Sequence, residues 1–128
     1  MWKNTYEKPL FWVGSSKRDL VELPGEAQRT FGFALGLAQN KGKHYKAKPM
    51  KGFGGAGVLE VVEDSEGNTY RAVYTVRFEK AVYALHVFQK KSRHGIKTPK
   101  QEVDLIKERL RQAEEHYWEW CESEERRS

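Results

Sequence analysis

The 128-residue sequence predicts one α+β domain, with its elements in the order strand, two helices, three strands and a final helix. Three apolar runs between residues 57 and 90 are separated by short polar turns, a pattern typical of antiparallel strands that follow one another in a sheet. After residue 98 the apolar residues recur every three or four positions, which indicates an amphipathic helix.

The first predicted elements are a short strand and a short helix. Residues 10–14, LFWVG, form an apolar run of strand length. Ser15 or Ser16 then provides a hydroxyl that can cap a helix running through Leu20.

The second helix is predicted to begin at Pro24, because proline favours the first helical position, and to end near Gln39. Gly32 and Gly36 lie one turn apart in this helix, and we expect them to allow close packing against the first helix. Residues 40–57 are polar and rich in glycine, which indicates a loop.

The three central strands are predicted over residues 57–64, 69–78 and 81–90. Alternate residues of the middle strand are expected to face the core, namely Tyr70, Ala72, Tyr74, Val76 and Phe78. Arg71 and Arg77 then lie on the opposite face of the sheet.

The final helix begins with a capping box, Thr98-Pro99-Lys100-Gln101, that places proline at the first helical position. We expect its apolar stripe to pack on the sheet rather than to bind a partner. That stripe consists of Val103, Ile106, Leu110, Ala113, Tyr117 and Trp120.

Charge is unevenly distributed along the chain. Residues 1–100 carry 18 Lys and Arg against 9 Asp and Glu, whereas residues 101–128 carry 5 against 9. Lysines cluster at residues 41–51 and 90–100, and such clusters bind phosphate backbones by releasing counterions. We therefore expect the basic residues 1–100 to bind a nucleic acid. The alternative is that these lysines only form a solvated surface.

Several classes of site are not expected. The four histidines lack metal-ligand spacing, and His86, in the middle of a strand, is expected to be a hydrogen-bonded core residue. The glycines of residues 52–57 precede a strand rather than open a helix, which argues against a dinucleotide fingerprint. A lone Cys121 predicts no internal disulfide, and the absence of long apolar runs predicts neither a membrane span nor a signal peptide. We therefore expect a cytoplasmic protein. The sequence also leads us to expect no metal and no cofactor.

Arg71, Lys90 and Lys91 form a candidate phosphate site. If the three strands are neighbours, Arg71 and both lysine clusters, including Lys90 and Lys91 at the end of the next strand, line one edge of the sheet. Their charges can then clamp a phosphate and stabilise charge that develops on it. A basic, solvent-exposed face of the sheet is the alternative.

Four segments carry a resemblance to a known family: KPMKG at 48–52, LEVVE at 59–63, YRAVYTVRF at 70–78 and LHVFQKKSRHGIKTPKQEVDLIKERL at 85–110. They resemble the RelE/ParE toxin superfamily, and within it the HigB-like, phage-derived branch. The resemblance predicts a toxin domain over residues 1–113 and leaves residues 114–128 as an acidic helical extension or tail. It also implies a RelE-like α+β fold, in which two N-terminal helices pack on a twisted antiparallel sheet of about four strands, followed by a C-terminal helix.

The function that this resemblance implies is that of a toxin in a type II toxin–antitoxin pair. Members of the RelE and HigB branches cleave mRNA on the ribosome without a metal, by attack of a ribose 2′-hydroxyl on the adjacent phosphate. The expected partners are a cognate antitoxin, the ribosome and mRNA, and no membrane is expected.

The resemblance also suggests roles for single residues. Arg71 matches the strand arginine that contacts the scissile phosphate, and Lys91, with Lys90, matches the basic position after the last strand. Lys48 and Lys51 match loop lysines that would hold RNA. Arg77 and Lys97 extend the basic surface that is expected to bind RNA.

The chain departs from the family pattern at the positions that transfer protons. Glu60 and Val62 stand where many relatives have a lysine or arginine, so Glu60 is either a general base or an ion-pair partner of Arg71. His94 is the best substitute for the missing general acid, because its ordinary pKa is near neutrality. Two other functions remain open: a ParE-like toxin that binds gyrase, and a catalytically inactive, phage-derived RNA-binding domain.

Overall fold

The computed structural model describes residues 7–55, 57–90 and 98–127. Its helices are α1 (Ser16–Val21), α2 (Gly25–Gln39) and α3 (Lys100–Arg127), and its strands are β1 (Leu10–Trp12), β2 (Lys48–Pro49), β3 (Val58–Ser65), β4 (Asn68–Thr75) and β5 (Val82–Lys90). The α+β class and the C-terminal helix are confirmed. The predicted sheet of about four strands is corrected to five, because β2 is too short for its sequence to show a strand period.

The five strands form one sheet in the order β1-β5-β4-β3-β2. β3, β4 and β5 pair antiparallel, as predicted. The β3–β4 turn places Glu66 and Gly67 at φ angles of 55° and 81°, the positive values that a tight hairpin of this kind requires. β1 pairs parallel with β5, so the sheet is mixed rather than wholly antiparallel. Because a long stretch of chain rather than a hairpin joins these two strands, they can pair either parallel or antiparallel.

One face of the sheet is covered by α1 and α2. The α2 side chains that pack there are Phe31, Ala34, Leu35 and Ala38, all at most 3% exposed. They meet Val61, Ala72 and Tyr74 of the two central strands. Alternation in β4 therefore predicted the core-facing set correctly up to Tyr74.

The opposite face of the sheet is covered by α3. Ile106, Ala113 and Tyr117 of this helix are buried against Val73 and Tyr83 of the sheet. The expected packing of the apolar stripe on the sheet is thereby confirmed, and α3 continues as one helix through Arg127.

Burial of β4 on both faces changes the environment of Arg71. Arg71 lies on the predicted face of the sheet, but it is only 7% exposed. The alternative prediction of a basic, solvent-exposed face is therefore wrong for Arg71. Phe78 also departs from the prediction, because β4 ends at Thr75 and the chain then turns Phe78 into the α3-side core beside Tyr117.

A bulge in β5 supplies two consecutive residues to the α3 side. Ala84 pairs with Tyr74 and His86 pairs with Val73, which leaves Leu85 as the extra residue. Leu85 joins the apolar core beneath α3, and His86 follows it there with a polar ring.

The expectation for Gly32 and Gly36 is wrong. A methyl group at either position would find no atom within 4 Å, so neither glycine is needed for packing of α2 on α1. The contact between these helices is small because each packs mainly on the sheet, α1 on β5 and α2 on β3.

Two glycine substitutions should have opposite effects on stability. Gly57 has a φ of +70°, and a methyl group there would lie 3.0 Å from the backbone N and Cα of Arg77. We expect Gly57→Ala to lower the free energy of unfolding by about 1–3 kcal/mol. Gly32→Ala, on the open side of α2, should raise it by about 0.5–1 kcal/mol because alanine favours the helix. Urea denaturation measures both, and changes of the same sign would contradict this assignment.

Candidate functional site

A buried ion pair lies on the α3 side of the sheet. Arg71 of β4 and Glu60 of β3 are diagonal neighbours, since Val62 pairs with Arg71 and Val73 pairs with Glu60. Arg71 Nη1 lies 2.7 Å from Glu60 Oε2, and the two side chains are 9% and 11% exposed. The structure therefore confirms that Glu60 pairs with Arg71, the second of its two predicted roles.

The start of the C-terminal helix also holds Arg71. Its Nη1 donates a second hydrogen bond to the hydroxyl of Thr98, at 2.7 Å. Thr98 precedes α3 by two residues, so the positive end of the helix dipole lies close to the guanidinium. The buried Nε of Arg71 has no hydrogen-bond partner in the described parts of the chain. The guanidinium is thus held in place through Nη1.

Two lysines share this face with Arg71. Lys48 of β2 pairs with Glu60, and directly opposed residues of paired strands project to the same side. Lys90 of β5 pairs with Thr69, two positions along β4 from Arg71 and therefore on the same face. Three cations from three strands thus share one face of the sheet with one carboxylate. We call Lys48, Glu60, Arg71, Lys90 and Thr98 the basic site.

The charges of the basic site affect the pKa of Lys90. Partial burial lowers the pKa of this ammonium group, and the nearby charges of Arg71 and Lys48 lower it further. Glu60 acts in the opposite direction, but the net shift is downward. A lysine with a lowered pKa gives up a proton more readily, and an arriving anion would relieve the repulsion among the cations.

The remaining predicted residues fall into two groups. Lys51 is exposed in the loop after β2, and Arg77 is exposed beyond the end of β4, 3.9 Å from the carboxylate of Glu114. Arg77 therefore lies beside the middle of α3 and not at its start, where the basic site is. The predictions for Lys91, His94 and Lys97 lie outside the described residues.

A second polar cluster lies under α3 and was only partly foreseen. His86 Nε2 lies 2.8 Å from Glu102 Oε1, and Arg109 Nη1 lies 3.3 Å from His86 Nδ1. Arg109 also donates to the carbonyl oxygen of Leu85 and to the hydroxyl of Ser15. The prediction that His86 is a hydrogen-bonded core residue is confirmed.

The contacts of His86 identify its protonation state. An arginine can only donate, so Nδ1 accepts from Arg109 and Nε2 carries the proton that is donated to Glu102. Burial lowers the pKa of His86, and Arg109 adds to this effect, while Glu102 opposes it. The ring is therefore neutral at neutral pH and joins β5 to α3.

Arg109 was missed by the sequence analysis, although a signal was present. It lies three residues after Ile106 and four before Ala113, on the apolar stripe of the helix. A charged residue in such a stripe indicates a buried partner, and here that partner is the neutral imidazole of His86.

Two other kinds of site are absent from the described parts of the chain. Across residues 7–55, 57–90 and 98–127, no three His, Cys, Asp or Glu side chains are grouped so that they could hold a metal ion. Within the same ranges, no helix combines the length and apolar character needed to cross a bilayer.

Comparison with known proteins gives one family match. Residues 18–111 match the family model described as "Phage derived protein Gp49-like (DUF891)". The matched segment runs from α1 into the first half of α3, and it contains all five residues of the basic site. No curated protein matches the sequence.

The neutral state of His86 predicts a loss of stability in mildly acidic solution. An unfolded histidine takes up a proton near about pH 6.5, whereas burial holds the pKa of folded His86 below its ordinary value. The unfolded state therefore binds more protons as the pH falls below about 6.5, and the free energy of unfolding decreases. We expect this decrease, measured by urea denaturation between about pH 7.5 and 5.5, to be smaller in His86→Gln than in the wild type. Equal decreases in both proteins would contradict a neutral, buried imidazole.

Proposed function

Because this chain belongs to the Gp49-like family of phage-derived proteins, we propose that it is the toxin of a type II toxin–antitoxin pair and cleaves mRNA on the ribosome. One observation supports the proposal most directly: Lys48, Arg71 and Lys90 project from three strands onto one face, with Arg71 fixed by Glu60 and Thr98. A phosphodiester is an anion whose oxygens suit such a set of donors.

In the proposed reaction the nucleophile is a hydroxyl group of the RNA itself. The ribose 2′-oxygen attacks the adjacent phosphorus, and the bond from phosphorus to the 5′-oxygen of the next nucleotide breaks. The 2′-hydroxyl proton passes to a base, and the leaving 5′-oxygen takes a proton from an acid. The products are a 2′,3′-cyclic phosphate and a free 5′-hydroxyl. Negative charge grows on the phosphoryl oxygens during attack, so fixed positive charge around them accelerates the step.

Arg71 has the properties of the group that stabilises this charge. Its guanidinium is held by Glu60 and Thr98, so little reorganisation is needed when charge develops. Lys90 adds a second positive charge, and Lys48 is exposed at the edge strand where an RNA backbone can reach it. Lys51, Arg77 and Lys97 are proposed to extend the surface that holds RNA.

The proton-transfer roles in the proposal go to four residues. The lowered pKa of Lys90 suits a general acid, and Lys91 and His94 are the other candidates that the family resemblance suggests. Glu60 is the candidate general base, a role in which its carboxylate would accept the proton while it lies beside the guanidinium of Arg71. The proposed partners are a cognate antitoxin, the ribosome and mRNA, and the proposed location is the cytoplasm.

A second candidate function is a ParE-like toxin that binds gyrase without cleaving RNA. The observation that favours it is the engagement of Glu60 with Arg71, because a carboxylate in a buried ion pair is a poor proton acceptor. A catalytically inactive RNA-binding domain would be consistent with the same observation.

Substitution of Lys90 tests the proposed cleavage without disturbing the fold. Lys90 is partly exposed at the end of β5, so Lys90→Met should fold normally. We expect it to reduce the rate of ribosome-dependent mRNA cleavage about 100-fold, since one charge that stabilises the phosphoryl group is lost. Primer extension on a reporter mRNA in a bacterial translation extract measures the new 5′ ends.

Lys80→Met is the matched control for this experiment. Lys80 is exposed in the turn after β4, and its loss removes the same charge away from the basic site. Cleavage by this variant should equal that of the wild type. Arg71→Lys, which keeps the charge but loses the planar fork, should also cleave poorly, with circular dichroism as the check on folding. Intact mRNA with the wild-type protein and active ribosomes would overturn the proposed function, and inhibition of gyrase supercoiling would then support the second candidate.

A further inference from the structure

Three aromatic rings form a cluster on the α2 side of the sheet edge, apart from the basic site. They belong to Phe33 of α2 and to His44 and Tyr45 of the loop that leads into β2. Phe33 is 61% exposed and Tyr45 is 85% exposed, and both are among the few large apolar or aromatic side chains that the described residues leave in solvent. We call these three residues the aromatic platform.

The buried ring of His44 forms the base of the platform. His44 is 4% exposed, and its ring stacks on Tyr45 with centroids 4.8 Å apart and an interplanar angle of 22°. Phe33 contacts the same imidazole edge-to-face at 5.7 Å. The backbone N–H of Lys46 donates to His44 Nδ1, and the N–H of Ala47 donates to the carbonyl oxygen of His44. One face of the tyrosine ring therefore rests on protein while the rest of the ring is open to solvent.

The charge around the platform is positive. Lys41 and Lys43 are exposed on the same loop, whereas the charge of Lys46, the residue after Tyr45, is balanced by an ion pair with Glu63, at 2.6 Å. Lys48 of the basic site follows Tyr45 by three residues, which limits the distance between their Cα atoms to about 11 Å. An exposed aromatic ring among lysines is the arrangement by which proteins bind single-stranded nucleic acids, with bases stacked on rings and phosphates near cations.

We infer that Tyr45 is a stacking platform for an unpaired RNA base, and that the surrounding lysines hold the phosphates of the same strand. This inference rests on the proposed function for the choice of RNA as the polyanion. It adds a second contact on that strand, at the β2 edge, where no role in the cleavage reaction is required. RNA is favoured over a protein partner because the charge around the ring is positive and a base can use the exposed face of the ring.

Binding of a labelled RNA in the absence of ribosomes tests the inference. The probe is a fluorescein-labelled 12-nucleotide oligouridine, followed by fluorescence anisotropy. We expect Tyr45→Ala to weaken binding roughly 5- to 100-fold, the range expected for loss of one stacked base. Tyr45→Phe should bind as tightly as the wild type, because the ring is retained. Trp118→Ala, at a 59% exposed aromatic residue on the acidic half of α3, is the matched control and should leave binding unchanged.

Two further measurements separate stacking from charge. An oligomer of the same length that lacks bases should bind equally to the wild type and to Tyr45→Ala, since neither can stack on it. Lys43→Gln should reduce the slope of log affinity against log salt concentration, whereas Tyr45→Ala should leave that slope unchanged.

The inference is overturned if the wild type fails to bind the oligouridine, or if Tyr45→Ala binds it as tightly as the wild type does. The second result would indicate that the aromatic platform binds a protein partner instead of RNA. Neither result depends on cleavage, because the assay contains no ribosomes. Failure of the stacking site is therefore distinguishable from failure of the proposed mRNA cleavage.

Discussion

The placement of α3 across the second face of the sheet is the constraint on which the rest of the structure depends. A sheet with one covered face would leave Arg71, Glu60 and His86 in water, where none of them would need a specific partner. Arg71 and Glu60 are buried beside Thr98, and His86 lies under α3, so each of them needs polar partners, because an unpaired buried charge or polar group is costly. The Arg71–Glu60 pair and the His86–Glu102–Arg109 contacts are the consequence. The polar groups of the sheet thereby acquire fixed positions, which a site that handles charge requires.

Much of the fold could be predicted from the sequence because its signals are local. Alternation, turn residues and a capping box each act over fewer than about ten residues, and they located α2, the three central strands and the start of α3. The edge strand β2 lacked such a signal, because two residues are too few to show a period. β1 was predicted from its apolar run, but its parallel pairing with β5 depends on a distant segment and was not. The full burial of β4 was missed for a related reason, since alternation reveals which residues share a face but not whether a helix from elsewhere in the chain covers it.

The candidate site, like the fold, could be predicted only in part. The grouping of Arg71 with the two lysine clusters followed from strand neighbours. The register of the edge strand β2, which the sequence did not reveal, then identifies Lys48 as the member of the first cluster that shares a face with Arg71. Arg109 was overlooked because a charged residue within an apolar stripe is easily taken for an interruption of the pattern. The aromatic platform had no sequence signal, since the exposure of Tyr45 and the burial of the adjacent His44 are decided by the fold of an irregular loop.

The length of α3 has a consequence for how the whole molecule meets a charged partner. With 28 residues the helix is about 42 Å long, and the basic site lies near its first turn. The distal half of the helix carries the acidic residues Glu114, Glu115, Glu119, Glu122, Glu124 and Glu125. The peptide dipoles of the helix point in the same sense, positive at the start and negative at the end. The protein is therefore an electric dipole, and the field of a polyanion exerts a torque that turns its basic end forward before contact. Capture of a nucleic acid would then be oriented as well as accelerated, and added salt would weaken the orientation once the Debye length falls below the length of the helix.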